Sequence, residues 1–378
     1  QCDGVGNGMS RSALTLGEVR VNDLRCHSRI SWQCEQGLNL LTGENGCGKT
    51  TLLEAVFMMG HGRSFRQARD PFLARHDTSG FYIHGNWTRY GPVHVGVTGG
   101  GSGVKIFLQG RQLQRRSDLT ETLPVLIESP QAARLIDGIP VERRRWLDQM
   151  MLYCSPQILK HYQAYLRCLM QRGRLMRRRD AGSEIDVWEE QMAVHGSVLV
   201  RARNKLVHTL NQELADEVSL SETQLSIHMQ NSAPDKTDDW IAKLREQRSH
   251  GQYILRIGPH CDRLQMYFGK RDIRAVGSRG QQKLAGIALR LAECRLRMQH
   301  RGLIPVLLLD DCFEALDPYR RDRLVARLTS HPGQVLMTGP SGTGIGQDEK
   351  IHCTDVQSIQ KKQVTESLDA TRRMEEAA

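Results

Sequence analysis

Eight residues carry the clearest chemistry in the chain: Gly43-Glu44-Asn45-Gly46-Cys47-Gly48-Lys49-Thr50. They fit the P-loop pattern G-x-x-x-x-G-K-[ST] at every fixed position. Glycines let a backbone wrap a phosphate, and successive N–H groups at a helix start point at the anion. Lys49 can reach β- and γ-phosphates, and the Thr50 hydroxyl can ligate Mg²⁺. The flanks agree. Residues 38–42 read as a short buried strand, and Thr51 opens an apolar run that reads as the first turns of a helix.

Two further segments supply complementary chemistry. The run Val306-Leu307-Leu308-Leu309 ends in Asp310 and Asp311. A parallel strand buried on both faces reads this way, and ligands bind at the carboxyl ends of such strands. Asp310 is placed to hold Mg²⁺, directly or through water, and Asp311 to orient or activate an attacking water. Ser278-Arg279-Gly280-Gln281-Gln282-Lys283 precedes a helix with Leu284, Ile287, Ala288 and Leu291 on one side. Backbone donors there make a second anion site, which is explained if it completes the first across a dimer interface.

The elements that must position these groups follow from the pattern. Weak alternation over 12–36 suggests strands before the P-loop, and 80–115 reads as a β-meander with Gly-rich turns. From about 140 to 220 the pattern turns helical, with Leu159, Tyr162, Leu166 and Leu169, then Trp188, Met192, His195 and Leu199, at spacings of three and four. Ser183 with Asp186 reads as a capping box between two helices. Residues 221–250 read as polar and irregular, and a strand returns at 253–257. The expected fold class is α/β: an ATPase head over 9–139 and 251–345 with an antiparallel β subdomain, a helical lobe inserted over 140–250, and disordered or loosely docked tails at 1–8 and 346–378. Met9 reads as a natural start.

Composition narrows the partners. There are 52 Lys+Arg against 42 Asp+Glu, a formal charge of +10. That excess attracts a polyanion, nucleic acid first. Candidate DNA contacts are Arg63 and Arg66 after the P-loop helix, Arg143 and Arg144, Arg177 and Arg178, and Lys270 and Arg271. No base-reading motif is present, so binding is expected to run through the phosphate backbone and to be salt-sensitive. The ten cysteines contain no C-x-x-C pair. This disfavours a zinc ribbon or redox dithiol and implies reduced thiols in the cytoplasm. No apolar run approaches the roughly 18 residues of a membrane span.

Taken together, G-E-N-G-C-G-K-T, G-H-G-R-S-F-R at 60–66, P-V-E-R-R-R-W-L-D at 140–148, S-R-G-Q-Q-K and L-L-L-D-D resemble the RecF family, bacterial recombination-repair ATPases related to SMC heads. The likeness runs from about 9 to 340. It implies an ABC/SMC-type P-loop ATPase head with ATP and Mg²⁺ as cofactors. It places nucleotide at Gly43 to Thr51, with Mg²⁺ at Thr50 and Asp310. It assigns catalysis to Lys49, Asp310 and Asp311, and a Q-loop position to Gln131. Ser278, Gly280 and Gln281 would meet the γ-phosphate held by a partner subunit. The family further implies an ATP-dependent head-to-tail homodimer on single-stranded and gapped double-stranded DNA. Such a dimer would help place RecA at gaps, with RecR and RecO-like mediators. A nucleotide-binding subunit of another SMC/ABC-type complex is the alternative. Two departures stand out. The family's G-P-H-R is here Gly258-Pro259-His260-Cys261, and Thr338 stands where transporter ATPases carry a γ-phosphate histidine. With Asp311 shorter than glutamate, hydrolysis should be weak and DNA-stimulated, suited to a switch.

Overall fold

The structure, a computed structural model, describes residues 14–66, 73–101, 103–130, 135–177, 183–221, 223–234, 236–250, 255–341 and 350–360. The chain divides into two compact units, 1–132 with 297–378, and 133–296.

Two sheets and one central helix organise the first unit. Strands β1 (Thr15–Leu24), β2 (His27–Gln33), β4 (Gly80–Thr88), β5 (Pro92–Gly100), β6 (Gly103–Leu108) and β7 (Arg111–Gln112) form a sheet ordered β2-β1-β4-β5-β6-β7. All its pairings are antiparallel. The weak alternation of β1 has a cause: its register against β4 shifts between Leu16 and Glu18, so the inward phase changes along the strand.

The second sheet is parallel: β3 (Leu38–Thr42), β8 (Val125–Glu128), β12 (Val306–Leu309), β13 (Val335–Thr338) and β14 (Ile351–Asp355), ordered β14-β3-β13-β12-β8. Strands β12 and β13 are buried at every residue, as strands covered on both faces must be. Helix α1 (Lys49–His61) packs against β1, β4 and β5 of one sheet and β8 and β13 of the other. It can do so because Leu52, Leu53, Val56, Met58 and Met59 are fully buried, and its one buried carboxylate, Glu54, is paired with Arg25 at 2.8 Å. Helix α2 (Ser117–Thr122) precedes β8, and α10 (Pro318–Thr329) joins β12 to β13 with Asp317 as its N-cap, accepting from Arg320 N–H. The tail expected over 346–378 is corrected only in its described part, 350–360: Ile351–Asp355 pairs with β3 along its whole length, and Val356 is fully buried.

Helices α3 (Pro140–Cys154), α4 (Leu159–Leu175) and α5 (Glu184–Ala215) open the second unit. Helices α4 and α5 run antiparallel, tied by an Arg172–Glu189 ion pair at 2.9 Å and a His161–His195 contact at 3.0 Å. Then come α6 (Val218–Ser221), β9 (Leu225–Gln230), α7 (Thr237–Ser249), β10 (Arg263–Phe268), β11 (Arg271–Asp272), α8 (Ile273–Val276) and α9 (Arg279–Arg301). Strands β9, β10 and β11 form an antiparallel sheet ordered β11-β10-β9.

Three expectations change here. The polar stretch 221–250 contains β9 and α7, because Leu225 and Ile227 point inward and Trp240 and Leu244 alone anchor the helix. The returning strand lies at β10; Tyr253 and Ile254 fall outside the described residues, and Leu255 to Ile257 are not strand. Ser183 precedes α5 but its side chain makes no capping hydrogen bond. Among the described residues, no helix is long and apolar enough to cross a membrane. The nine described cysteines are free thiols.

Candidate functional site

The P-loop runs from the end of β3 into α1, as its sequence demands. Gly43, Gly46 and Gly48 have φ of 149°, 84° and 99°, a region where a side chain is strained. Gly48 is also sterically locked. A Cβ there would lie 2.2 Å from His27 Nε2 and 2.7 Å from Cys26 Sγ. His27 Nε2 sits 3.1 Å from the Gly48 carbonyl oxygen, and that oxygen accepts the N–H groups of Thr51 and Leu52 that start α1. Lys49 Nζ donates to the carbonyls of Gly43 at 2.7 Å and Glu44 at 2.9 Å, so the ammonium is held inside the curve of the loop.

Asp310, at the carboxyl end of β12, is the centre of the site. It is 2% exposed. Three hydroxyls donate to its carboxylate: Thr50 to Oδ1 at 2.9 Å, Thr338 to Oδ1 at 3.0 Å and Ser129 to Oδ2 at 3.2 Å. They arrive from the P-loop helix and from the ends of β13 and β8, flanking β12 on both sides. Burial, then the neighbouring Asp311 charge, push the Asp310 carboxyl above its ordinary range, and the three hydroxyls oppose that shift without cancelling it. Asp311 has a left-handed backbone with φ 50°, and its N–H donates to Thr338 Oγ1 at 2.8 Å. Thr338 is therefore no idle replacement for a histidine; its hydroxyl bridges the two aspartates.

The sequence reading missed Ser129 and the bridging role of Thr338. The available signal was positional, since both end parallel strands beside β12. It also missed the Cys26–His27 pair against Gly48. Their hydrogen bond lowers the Cys26 thiol; burial alone would lower His27, but Cys26 and the Gly48 carbonyl raise it. Gln131 and Arg178 lie outside the described residues.

In the second unit, Ser278 and Gln281 form a reciprocal cap on α9. Gln281 Oε1 accepts Ser278 N–H at 3.0 Å, and Ser278 Oγ accepts Gln281 N–H at 3.3 Å. Ser278 stays exposed and Gly280 is buried. The basic candidates scatter. Arg63, Arg177, Lys270 and Arg271 are exposed. Arg66 is half-buried with Nη1 3.7 Å from Glu54. Arg143 corrects the expectation: it is 3% exposed and donates inward to the Ile136 carbonyl, because its position on α3 faces the core. Arg144 donates to the Asp262 backbone oxygen at 2.8 Å.

Likeness to known proteins runs along most of the chain. The AAA domain family model matches residues 18–126. The DNA replication and repair protein RecF of Heliobacterium modesticaldum is 33% identical over 80% of this chain and 86% of its own length. That of Halalkalibacterium halodurans is 28% identical over 92% of this chain and 99% of its own. The recombination mediator protein RecF with ATP, solved for the RecFOR pathway, covers 92% of this chain and 97% of its own at a TM-score of 0.75 and 23% identity. An Smc head domain from Pyrococcus furiosus covers 90% of this chain and 93% of its own at a TM-score of 0.56 and 14% identity. The fold is the ABC/SMC-type ATPase head, as the motifs implied. The chain belongs to the RecF family of DNA replication and repair proteins.

Proposed function

We propose that this chain binds ATP with Mg²⁺ at the P-loop and uses the nucleotide as a switch for DNA binding. The observation that carries the reading is the Asp310 cluster. The hydroxyl of Thr50 and the carboxylate of Asp310 lie 2.9 Å apart beside a glycine cradle that admits no Cβ at Gly48. Both are hard oxygen donors of the kind Mg²⁺ takes. Thr50 and Asp310 would hold the ion, which would supply positive charge against the triphosphate. Lys49 and the N–H groups opening α1 bind and orient the triphosphate. Asp311 positions the attacking water. Hydrolysis is weak, because the short Asp311 side chain is set by a pinned, left-handed backbone and the Thr338 hydroxyl is already bonded to both aspartates.

Two copies would then pair head to tail around ATP, with Ser278, Gly280 and Gln281 of one facing the γ-phosphate of the other. The dimer would sit on single-stranded and gapped double-stranded DNA in the cytoplasm and assist loading of RecA with RecR and RecO. The RecF name shared by the relatives and the net charge of +10 support this. Light scattering of the pure protein with ADP or ATP, each with and without gapped DNA, tests it. The expected result is doubling of mass with ATP and a further shift with DNA. A monomer under all four conditions would refute the switch.

A further inference from the structure

The second unit contains a cavity of about 640 Å³ whose wall carries three guanidiniums, from Arg144, Arg256 and Arg263. No lining residue is a carboxylic acid. Asp262, beside Cys261 in the chain, does not offset the charge. It is fully buried, with Oδ1 accepting from the Ser232 N–H and hydroxyl and Oδ2 from Arg203 at 3.0 Å. The bond from Arg144 to the Asp262 backbone oxygen anchors that guanidinium in the wall. Arg256 and Arg263 are exposed and make no ion pair among the described residues.

The rest of the wall is mixed. Pro140 and Val141 give an apolar flank, while the Gln230 and Asn231 amides offer both donors and acceptors. Guanidiniums for phosphate, an apolar face for a base or sugar, and amides for a base edge are the complement of a nucleotide. Volume sets the form of the ligand. Sites of roughly 300–1,000 Å³ take small molecules. One or two nucleotides of an unpaired strand fit such a space, whereas a duplex with a groove alone about 12 Å wide does not.

We propose that this cavity seats an unpaired nucleotide of a DNA strand, with Arg144, Arg256 and Arg263 on its phosphate. The proposal rests on the DNA-binding reading above and adds to it a place. Such a site lets the protein register an unpaired stretch beside a duplex without reading its sequence.

The test uses the full chain with Arg256→Glu and Arg263→Glu together. Both side chains are exposed, and neither belongs to the nucleotide site of the first unit. Fluorescence anisotropy would follow binding of a labelled oligothymidylate and of a duplex of equal length. The double variant should lose roughly tenfold or more in affinity for the single strand and flatten its salt dependence by up to about 0.7 in log–log slope, the share of one neutralised phosphate. Duplex affinity and binding of an ATP analogue should stay within about twofold. Cys261, which lines the cavity, gives a second readout. Oligothymidylate should protect its thiol from alkylation, and inorganic phosphate or AMP at equal nucleotide concentration should not. Equal loss on both DNAs, or no loss, would overturn the site while leaving the DNA reading intact. Equal protection by AMP would overturn it in favour of a free nucleotide. A parent protein that binds neither DNA would refute the DNA reading itself, and the proposal with it.

Discussion

Replacing Gly48 by alanine tests how tightly this P-loop is built. Gly48 is the N-cap of α1 with φ 99° and ψ 14°, a conformation that costs an L-residue roughly 1–2 kcal/mol. The methyl would also sit 2.2 Å from His27 Nε2, 2.5 Å from His27 Cε1 and 2.7 Å from Cys26 Sγ. Carbon prefers such neighbours at about 3.5–4.0 Å, so the ring and thiol must move, an overpacking cost of about 1–3 kcal/mol. The sum is about 2–5 kcal/mol, and it falls on the residue whose carbonyl starts α1. Urea unfolding followed by tryptophan fluorescence reads the stability, and titration of a fluorescent ATP analogue reads the site. Both should fall, the affinity by tenfold or more, since about 1.4 kcal/mol is a factor of ten. The steric part is separable. His27→Ala removes the ring and one bond to the Gly48 carbonyl, so alone it costs roughly 1 kcal/mol. Combined with Gly48→Ala it should recover the ring's share of that overpacking, about 1–2 kcal/mol with the Cys26 thiol still in place, a coupling energy readable from the double-mutant cycle. Strict additivity would show that backbone strain alone matters. A Gly48→Ala protein with unchanged stability and affinity would refute the packing described here.

Thr338→Val keeps the shape of the side chain and deletes the hydroxyl between Asp310 and Asp311. It should cost about 1–3 kcal/mol for the stranded Asp311 N–H and lower phosphate release more than analogue binding, compared by single-turnover kinetics. Arg203→Leu should destabilise the second unit by roughly 3–5 kcal/mol in urea, because Asp148 at 2.7 Å and Asp262 at 3.0 Å would be left as buried, uncompensated charges. Glu18 gives the pH prediction. Burial alone would raise its carboxyl, but bonds from Arg20, Ser31 and Gln33 bring it below the ordinary value. With the folded value depressed, its contribution is full above the unfolded pKa and is lost as pH falls through the folded one. Glu18→Gln should therefore cost about 1–3 kcal/mol near neutrality and approach the parent protein in acid, measured by urea unfolding across pH.

Legibility in the sequence followed physical cause. The P-loop and the Asp310-Asp311 pair were readable because phosphate binding fixes residue types over a few adjacent positions. The parallel strands were readable because burial on both faces leaves unbroken apolar runs such as 306–309. Ser129 and Thr338 were not, because they join Asp310 only through strand order, and a hydroxyl ending a strand has no signature of its own. Strand β14 was hidden by a polar sequence, Ile351-His352-Cys353-Thr354-Asp355, that reads as a tail; its backbone pairing with β3 holds it. Helix α7 was hidden because Trp240 and Leu244 are its only buried residues. The basic clusters misled in part because a run of arginines on a helix turns through both faces. Arg143 goes inward, and its neighbour Arg144 reaches the cavity wall.

The claim on which the rest depends is that Asp310 and Thr50 make a metal-assisted triphosphate site. Titration of a fluorescent ATP analogue, with Mg²⁺ and with EDTA, against the parent protein and Asp310→Asn addresses it directly. The account predicts that removing Mg²⁺ weakens binding to the parent at least tenfold, about 1.4 kcal/mol, and changes nothing further in the variant. A parent protein indifferent to Mg²⁺, or a variant that keeps the full Mg²⁺ response, would contradict it.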